Sequence, residues 1–365
     1  MHSLEPAVSD DTPRFPQVVL EAFATDLLVA AGVQRPRAQR AATHLITADL
    51  WGVESHGVAR LASYVNRLHA GLIDPDATLT VERELASTLA LDGNNGFGLL
   101  LGPEAMQRTI DKARETGICL TTIKHSNHFG IAGAYAAMAT RAGLGGLAMT
   151  NAGKIVVPLN GSEPMLGTNP MAFGVPTGSG QPLLVDMSTS TVAWGKIEIA
   201  RRAGVPIPWG WAVDAEGNPT TDPHAVKGLT PLGGSLALGG HKGYGLSLMV
   251  ETLCGPLSGN AWGYRIAQST STGAQPGIGH TFMAWRIDAF RDEGEFLAEM
   301  DQMLNDLRSC KPNPGTPDAR VIIPGEPEFE AEVRNRELGI PVRRPVLDEL
   351  AVAAATVNCP FTLSA

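Results

Sequence analysis

The stretch from Gly117 to Thr150 constrains the fold most. Gly117 to Lys124 reads as a short strand built on Ile-Cys-Leu-Thr-Thr-Ile. It runs straight into the polar segment Ser126-Asn127-His128-Phe129-Gly130, then into an alanine-rich helix to Ala142 and a second strand from Gly145 to Thr150. Strand, loop, helix and strand in that order make a βαβ unit, which predicts an α/β fold with a partly parallel sheet. Such sheets bind ligands at the carboxyl ends of their strands, which is where His128 falls. No G-x-G-x-x-G follows any strand, so a Rossmann dinucleotide site is not supported.

The rest of the chain is consistent with a large soluble body. Its 365 residues can bury a sizeable core. The 41 glycines and 26 prolines imply many turns, which argues against a helical bundle. A net charge of −9 and the absence of a Lys/Arg run with interleaved aromatics argue against nucleic-acid binding. No apolar run approaches the length of a membrane span. Met1 to Gln17 lacks the basic start and apolar core of a signal peptide. Cys119, Cys254, Cys310 and Cys359 are scattered without a CxxC, so free thiols in a reducing cytoplasm are expected.

Residues 1–15 read as a mobile tail and 16–75 as an N-terminal helical segment with apolar stripes, expected to pack with C-terminal helices over 328–361. Residues 76–327 read as the α/β body. Within it, 78–91 holds one or two strands and a helix opens at Gly102-Pro103. Gly161 to Pro176 is rich in turns, and Leu183 to Met187 is a strand. Residues 194–240 form a long excursion rich in Gly, Pro and Trp. Helices follow over 243–257, 290–307, 328–338 and 345–356, with a strand at Arg320 to Ile323.

Several clusters bear chemistry. Ser55, His56, Arg60 and Tyr64 lie at the end of the N-terminal helical pattern. If that segment is helical, His56, Arg60 and Tyr64 fall on one side, about 40° of rotation apart per step. An imidazole beside a guanidinium can supply a proton to a carbonyl while the fork holds a neighbouring carboxylate. A lone helical histidine is more often structural, but the adjacent Gly57 implies a close approach. His128 offers a second acid/base, and the polar cluster around it suits an anion at a helix N-terminus. His125 reads as structural. Gly167-Thr168-Asn169-Pro170 is either a turn or a pair of hydrogen-bonding groups for a substrate acid. Asp186-Met187-Ser188 at a strand end has the same double reading. The glycines around Lys242 and Gly243 form either a flexible turn or a phosphate cradle with Lys242 as counter-charge. His125 and His128 lack a carboxylate or cysteine at ligand spacing, so no metal site is expected.

Taken together, SHG with Arg60 and Tyr64, SNHFGIAG (126–133), TNAG (150–153), LGTNPMAFGVP (166–176), DMSTS (186–190), PWGWAVDAEGNPTTDP (208–223), PLGG (231–234), HKGYGL (241–246) and IPGE (323–326) resemble the type 2 malate/L-lactate dehydrogenase family from about residue 18 to 361. That family includes malate, sulfolactate and ureidoglycolate dehydrogenases, diketogulonate reductase and reductases of cyclic imine carboxylates such as piperideine-2-carboxylate. The resemblance implies a non-Rossmann NAD(P)-binding fold, a mixed sheet with an N-terminal helical portion, and a homodimer. It implies His56 as proton donor with Ser55 as partner, Arg60 and Thr168 as substrate contacts, and His128 as acid/base or cofactor contact. Tyr64 is a pocket wall. Cofactor contacts are implied at His128, Phe129, Gly130, Ile131 and Ala132, at Asp186, Met187 and Ser188, at Lys242 and Gly243, and at Pro324, Gly325 and Glu326.

Asn160, where many members have glycine, and the bulky Trp194, which could narrow the pocket, depart from the pattern. Lys154 has no assigned role. The run Gly130 to Gly133 is more similar to the malate/lactate side. The expected reaction is hydride transfer between NAD or NADP and C2 of a small 2-oxo or 2-hydroxy acid. Reduction of a cyclic imine carboxylate is the alternative, and a non-enzymatic acid-binding protein a remote one.

Overall fold

The computed structural model describes residues 11–267, 277–315 and 320–363. Of the expected tail, residues 1–10 lie outside these. Arg14–Phe15 (β1) is a short strand paired with Ile340–Pro341, not part of a free tail. Gln17–Ala30 (α1) and Arg35–Leu50 (α2) bury the apolar stripe of Leu20, Phe23, Leu27, Leu45 and Ile46. Burial of such side chains contributes roughly 1.5–3 kcal/mol each and outweighs the absence of side-chain caps.

Beyond Leu50 the expected continuous helix does not form. Two single 3₁₀ turns, Glu54–His56 and Val58–Arg60, precede Leu61–His69 (α3). The interruption has a physical cause at Gly57. A Cβ there would lie 2.0–2.1 Å from the carboxylate of the buried Asp49, which accepts a hydrogen bond from the Val58 N–H at 2.8 Å. The backbone bends around that carboxylate, and His56, Arg60 and Tyr64 are not successive turns of one helix.

Thr80–Leu85 (β2) and Thr88–Asp92 (β3) form a hairpin. Gly98–Thr116 (α4) begins a turn earlier than its proline suggests, with Pro103 inside it. Ile118–Ser126 (β4), Gly133–Arg141 (α5) and Leu144–Thr150 (β5) follow as expected. The turn-rich segment contains a strand, Met171–Val175 (β6), which pairs with Leu183–Met187 (β7).

The 194–240 excursion is more ordered than expected. Trp194–Ala203 (α6) packs with a small sheet of Ala212–Val213 (β8), Pro219–Thr220 (β9) and Gly228–Leu229 (β10) around a separate core of Val156, Leu166, Ile197, Ala212 and Leu229. Gly240–Cys254 (α7) then leads to Ile278–Arg286 (β11) and Glu293–Arg308 (α8). Arg320–Ile323 is not a strand. Its backbone instead enters the turn before Glu326–Leu338 (α9), where the Ile323 N–H is taken by the Glu326 carboxylate. Ile340–Pro341 (β12) and Arg344–Thr356 (α10) close the chain.

Among the described residues, seven strands make one mixed sheet in the order β2-β3-β4-β11-β5-β6-β7. The βαβ unit over 117–150 is therefore split: β11 lies between β4 and β5 and runs antiparallel to both. The directly paired parallel strands are β3 and β4, joined by α4. The pairings make β4, β5 and β7 parallel to one another, so their carboxyl ends share one edge of the sheet. The N-terminal helices, α4 and α5 share one core with this sheet. The C-terminal helices are tied to the N-terminal ones by Trp51 donating to Glu332, by Asn335 donating to the carbonyls of Asp49 and Leu50, and by Arg343 donating to Glu54.

Candidate active site

The bent 54–60 segment lies against the carboxyl end of β4. His56 and His128 stack with centroids 5.5 Å apart and planes 28° apart. Tyr64, on the first turn of α3, places its hydroxyl 2.6 Å from His128 Nδ1, and its ring packs edge-on against Phe97. Ser55 Oγ lies 2.9 Å from His56 Nδ1. Arg60, an exposed residue, donates from Nε to the Ser55 carbonyl at 2.9 Å, which directs its guanidinium. Ser55, His56, Arg60, Tyr64 and His128 are thus brought together from two chain segments.

Their electrostatics describe a cleft. His56 and His128 keep partial exposure, yet protein surrounds them closely. Burial, then the Arg60 charge, lowers His56 to about 4. Burial pushes His128 well below the ordinary range, helped by His56, Arg60 and His280. Burial raises the Tyr64 hydroxyl, with Arg60 opposing. Arg60 acts on all three groups, so one cationic fork faces the cluster. Both imidazoles are neutral without an anion.

The loop carrying His128 is held from below. His280 on β11 is fully buried, stacks on Phe129 at 4.5 Å, and bridges Thr150 Oγ1 and Ser126 Oγ at 2.8 Å each. Neither His280 nor Asp49 is a candidate from the sequence. The adjacent Gly57 was the one available signal for Asp49, and β11 gave none for His280.

The other expected residues form two further groups. Asp186, near the carboxyl end of β7, accepts the Gly133 N–H at 2.7 Å, and crowding raises it to about 6 although it keeps exposed surface. Pro324 accepts the Leu184 N–H at 3.4 Å, so segments 129–133, 184–188 and 323–326 converge. Phe129, Gly130, Ile131 and Ala132 are buried, whereas Met187 and Ser188 are half-exposed. Glu326 is committed to Arg308 and to the Ile323 N–H.

Thr168 accepts the Thr189 N–H through its carbonyl at 2.9 Å. Thr189 in turn accepts from Leu232, whose backbone touches Gly243. Lys242 lies exposed in the first turn of α7, not in a loop before it. Asn169 is fully buried and donates to Glu251 and Ser247, so its amide is structural. Trp194 lies against Arg201 and Glu198 of its own helix, in the small second core, so its bulk is spent there. Asn160 adopts φ 62°, a conformation asparagine tolerates. His125 pairs with Asp92.

A stacked pair of imidazoles beside an arginine, at the carboxyl edge of a non-Rossmann mixed sheet, fits an oxidoreductase of small carboxylic acids. The malate/L-lactate dehydrogenase family profile matches residues 15–351, and the chain belongs to that family. It is 42% identical to a malate dehydrogenase of Pyrococcus abyssi over 96% of this chain and 97% of that protein. It is 35% identical to a Delta(1)-pyrroline-2-carboxylate reductase of Ancylobacter novellus over 93% of this chain and 97% of that one. The malate dehydrogenase structure from Pyrococcus horikoshii superposes with a TM-score of 0.89 at 37% identity, covering 98% of this chain and 99% of that chain.

Proposed function

We propose that this enzyme interconverts a small 2-oxo acid and its 2-hydroxy acid with NAD or NADP, and that His56 carries the proton. The observation that carries this reading is the pairing of His56 Nδ1 with the Ser55 hydroxyl beside Arg60. A hydroxyl can donate or accept, so Ser55 can follow His56 through both protonation states.

The residues fit a nicotinamide dinucleotide. Asp186 gives one oxygen to the Gly133 N–H and, being ionisable at neutral pH, has acceptor capacity left for ribose hydroxyls. Gly325, at φ 97°, lets the 323–326 turn touch Leu184 where a Cβ would come within 3.1 Å. Segments 128–132, 186–188, 242–243 and 324–326 are proposed to hold it. When bound, the nicotinamide supplies or accepts the hydride at C2 of the acid.

The chain's own residues do the rest. Arg60, with Thr168, clamps the carboxylate and orients C2. His56, neutral in the free enzyme, takes the hydroxyl proton during oxidation. An acid bound on Arg60 cancels the cation that helps keep His56 neutral, so binding of an oxo acid raises its proton affinity for reduction. A general acid of this kind is worth ~10²–10⁴ in rate.

A second reading, reduction of a cyclic imine carboxylate, follows from the similarity to the pyrroline-2-carboxylate reductase. An iminium already carries its proton, so that chemistry leans less on His56. Pyruvate, oxaloacetate and piperideine-2-carboxylate, each offered with NADH and NADPH while absorbance is followed, separate the two. Turnover of the imine alone overturns the first reading. A cytoplasmic homodimer is the proposed form, in keeping with the free thiols and with the exposed Leu236 and Leu238 just before α7 and Leu248 and Met249 along it.

A further inference from the structure

The two histidines of the site differ in what holds them. His128 Nδ1 faces the Tyr64 hydroxyl at 2.6 Å, which can donate or accept, and the Gly130 backbone N–H at 3.2 Å. At 2.6 Å from a hydroxyl the ring atom must be nitrogen, since a carbon there would collide, so the ring orientation is determined. The Gly130 N–H can only donate. It therefore needs a lone pair on Nδ1, and the single proton of neutral imidazole goes to Nε2. The hydroxyl beside His56 can reverse its direction, but the amide beside His128 cannot.

We propose that Gly130 and Tyr64 lock His128 as a neutral imidazole whose Nε2–H is a permanent hydrogen-bond donor to the substrate oxygen, and that His128 never takes up the reaction's proton. Protonating Nδ1 would set an N–H against the Gly130 N–H and would force the Tyr64 hydroxyl to turn. The charged and titratable groups facing His128 point the same way. His56 and Arg60 come from the 54–60 segment, Tyr64 from α3 and His280 from β11, and none is an anion. Below the loop, His280 stacks on Phe129 and binds Ser126, which fixes the backbone that aims Gly130. In reduction the substrate oxygen receives its proton from His56 and a hydrogen bond from His128. In oxidation the proton returns to His56, and His128 again keeps its own. Tyr64 becomes a positioning residue rather than a wall. This inference rests on the proposed oxidoreductase reading for the substrate's part, but the lock itself is a property of the free protein.

The test therefore begins without substrate. Protein labelled with ¹⁵N in its nine histidines is compared with His128→Gln to assign the His128 signals. A pyridine-type Nδ1 and a pyrrole-type, protonated Nε2 are expected from about pH 5 to pH 8. Imidazolium, or a protonated Nδ1, in that range would overturn the lock, whatever the enzyme turns over. Tyr64→Phe keeps the ring against Phe97 but removes one donor, so the pH at which His128 takes up a proton should rise. An unchanged titration would remove Tyr64 from the proposal.

Kinetics then separate donor from shuttle. His128→Gln restores an N–H near the Nε2 position, so it is expected to recover part of the kcat/KM lost in His128→Ala and to keep the parental pH limbs. His128→Ala should lose ~10²–10³, the cost of one donor to developing charge. If His128→Gln abolishes a pH limb, His128 is the shuttle and the proposal fails.

Discussion

Gly57→Ala tests how the site is built. The added methyl would lie 2.0 Å from Asp49 Oδ1 and 2.1 Å from Oδ2 and Cγ, against ordinary contacts near 3.4 Å. Something must move by roughly 1.4 Å to restore a normal contact. Two routes exist. Asp49 can swing away, breaking its bond to the Val58 N–H and leaving a 3% exposed carboxyl without that partner. That costs about 1–3 kcal/mol. Alternatively the 54–60 segment moves and carries His56 and Arg60 with it. A shift of about 1 Å at reacting groups can cost ~10² in rate.

The expected result is a kcat/KM roughly 10²-fold lower, measured by NAD(P)H absorbance, with a lowered thermal midpoint by circular dichroism. Asp49→Ala/Gly57→Ala removes the collision. It should be more active than the product of the two single effects, with a coupling of about 1 kcal/mol or more. A Gly57→Ala enzyme with parental kinetics would refute the reasoning, as would single effects that simply multiply.

Arg60→Ala should raise KM for the acid by ~10–100-fold while leaving cofactor affinity unchanged, because it deletes charge-assisted hydrogen bonds to the carboxylate. An unaltered KM in steady-state assays would place the carboxylate elsewhere. His280 links stability to pH. Burial lowers it from the usual 6.5 or so to about 3, so between those values the unfolded chain binds more protons than the folded one. Stability should therefore be full above about pH 6.5 and fall as pH drops, with His280 contributing about 3 kcal/mol of the loss by about pH 4.5. His280→Gln should show a shallower decline in urea-unfolding free energy across that window, and an equal slope would contradict the assignment.

What could be read from the sequence depended on how local the cause was. The 118–150 elements were legible, as was strand over 78–91 though not its division into a hairpin, because periodicity and turn residues act over a few positions. So were Ser55, His56, Arg60 and His128 as candidates, since each stands in a polar cluster at an element end. The central strand β11 was missed. It is covered on both faces for most of its length and places His280 and Thr281 inside, so it shows no alternation of apolar and polar residues.

The bend at 54–60 differs from the helical pattern because its cause, the Asp49 carboxylate, lies nine residues before Val58 on α2. The small core under 194–240 joins Val156 and Leu166 to Leu229, a pairing that no local pattern announces. Thr168 and Asn169 looked equivalent in sequence. Only the packing of α7 shows that Asn169 serves Glu251.

The most direct test of the central claim is the turnover of His56→Ala beside its cofactor affinity, read on the best acid from the substrate panel. The account expects nicotinamide binding within error of the parent, by fluorescence, and turnover lower by ~10²–10⁴. A variant that binds the cofactor and reduces the oxo acid at the parental rate would contradict it.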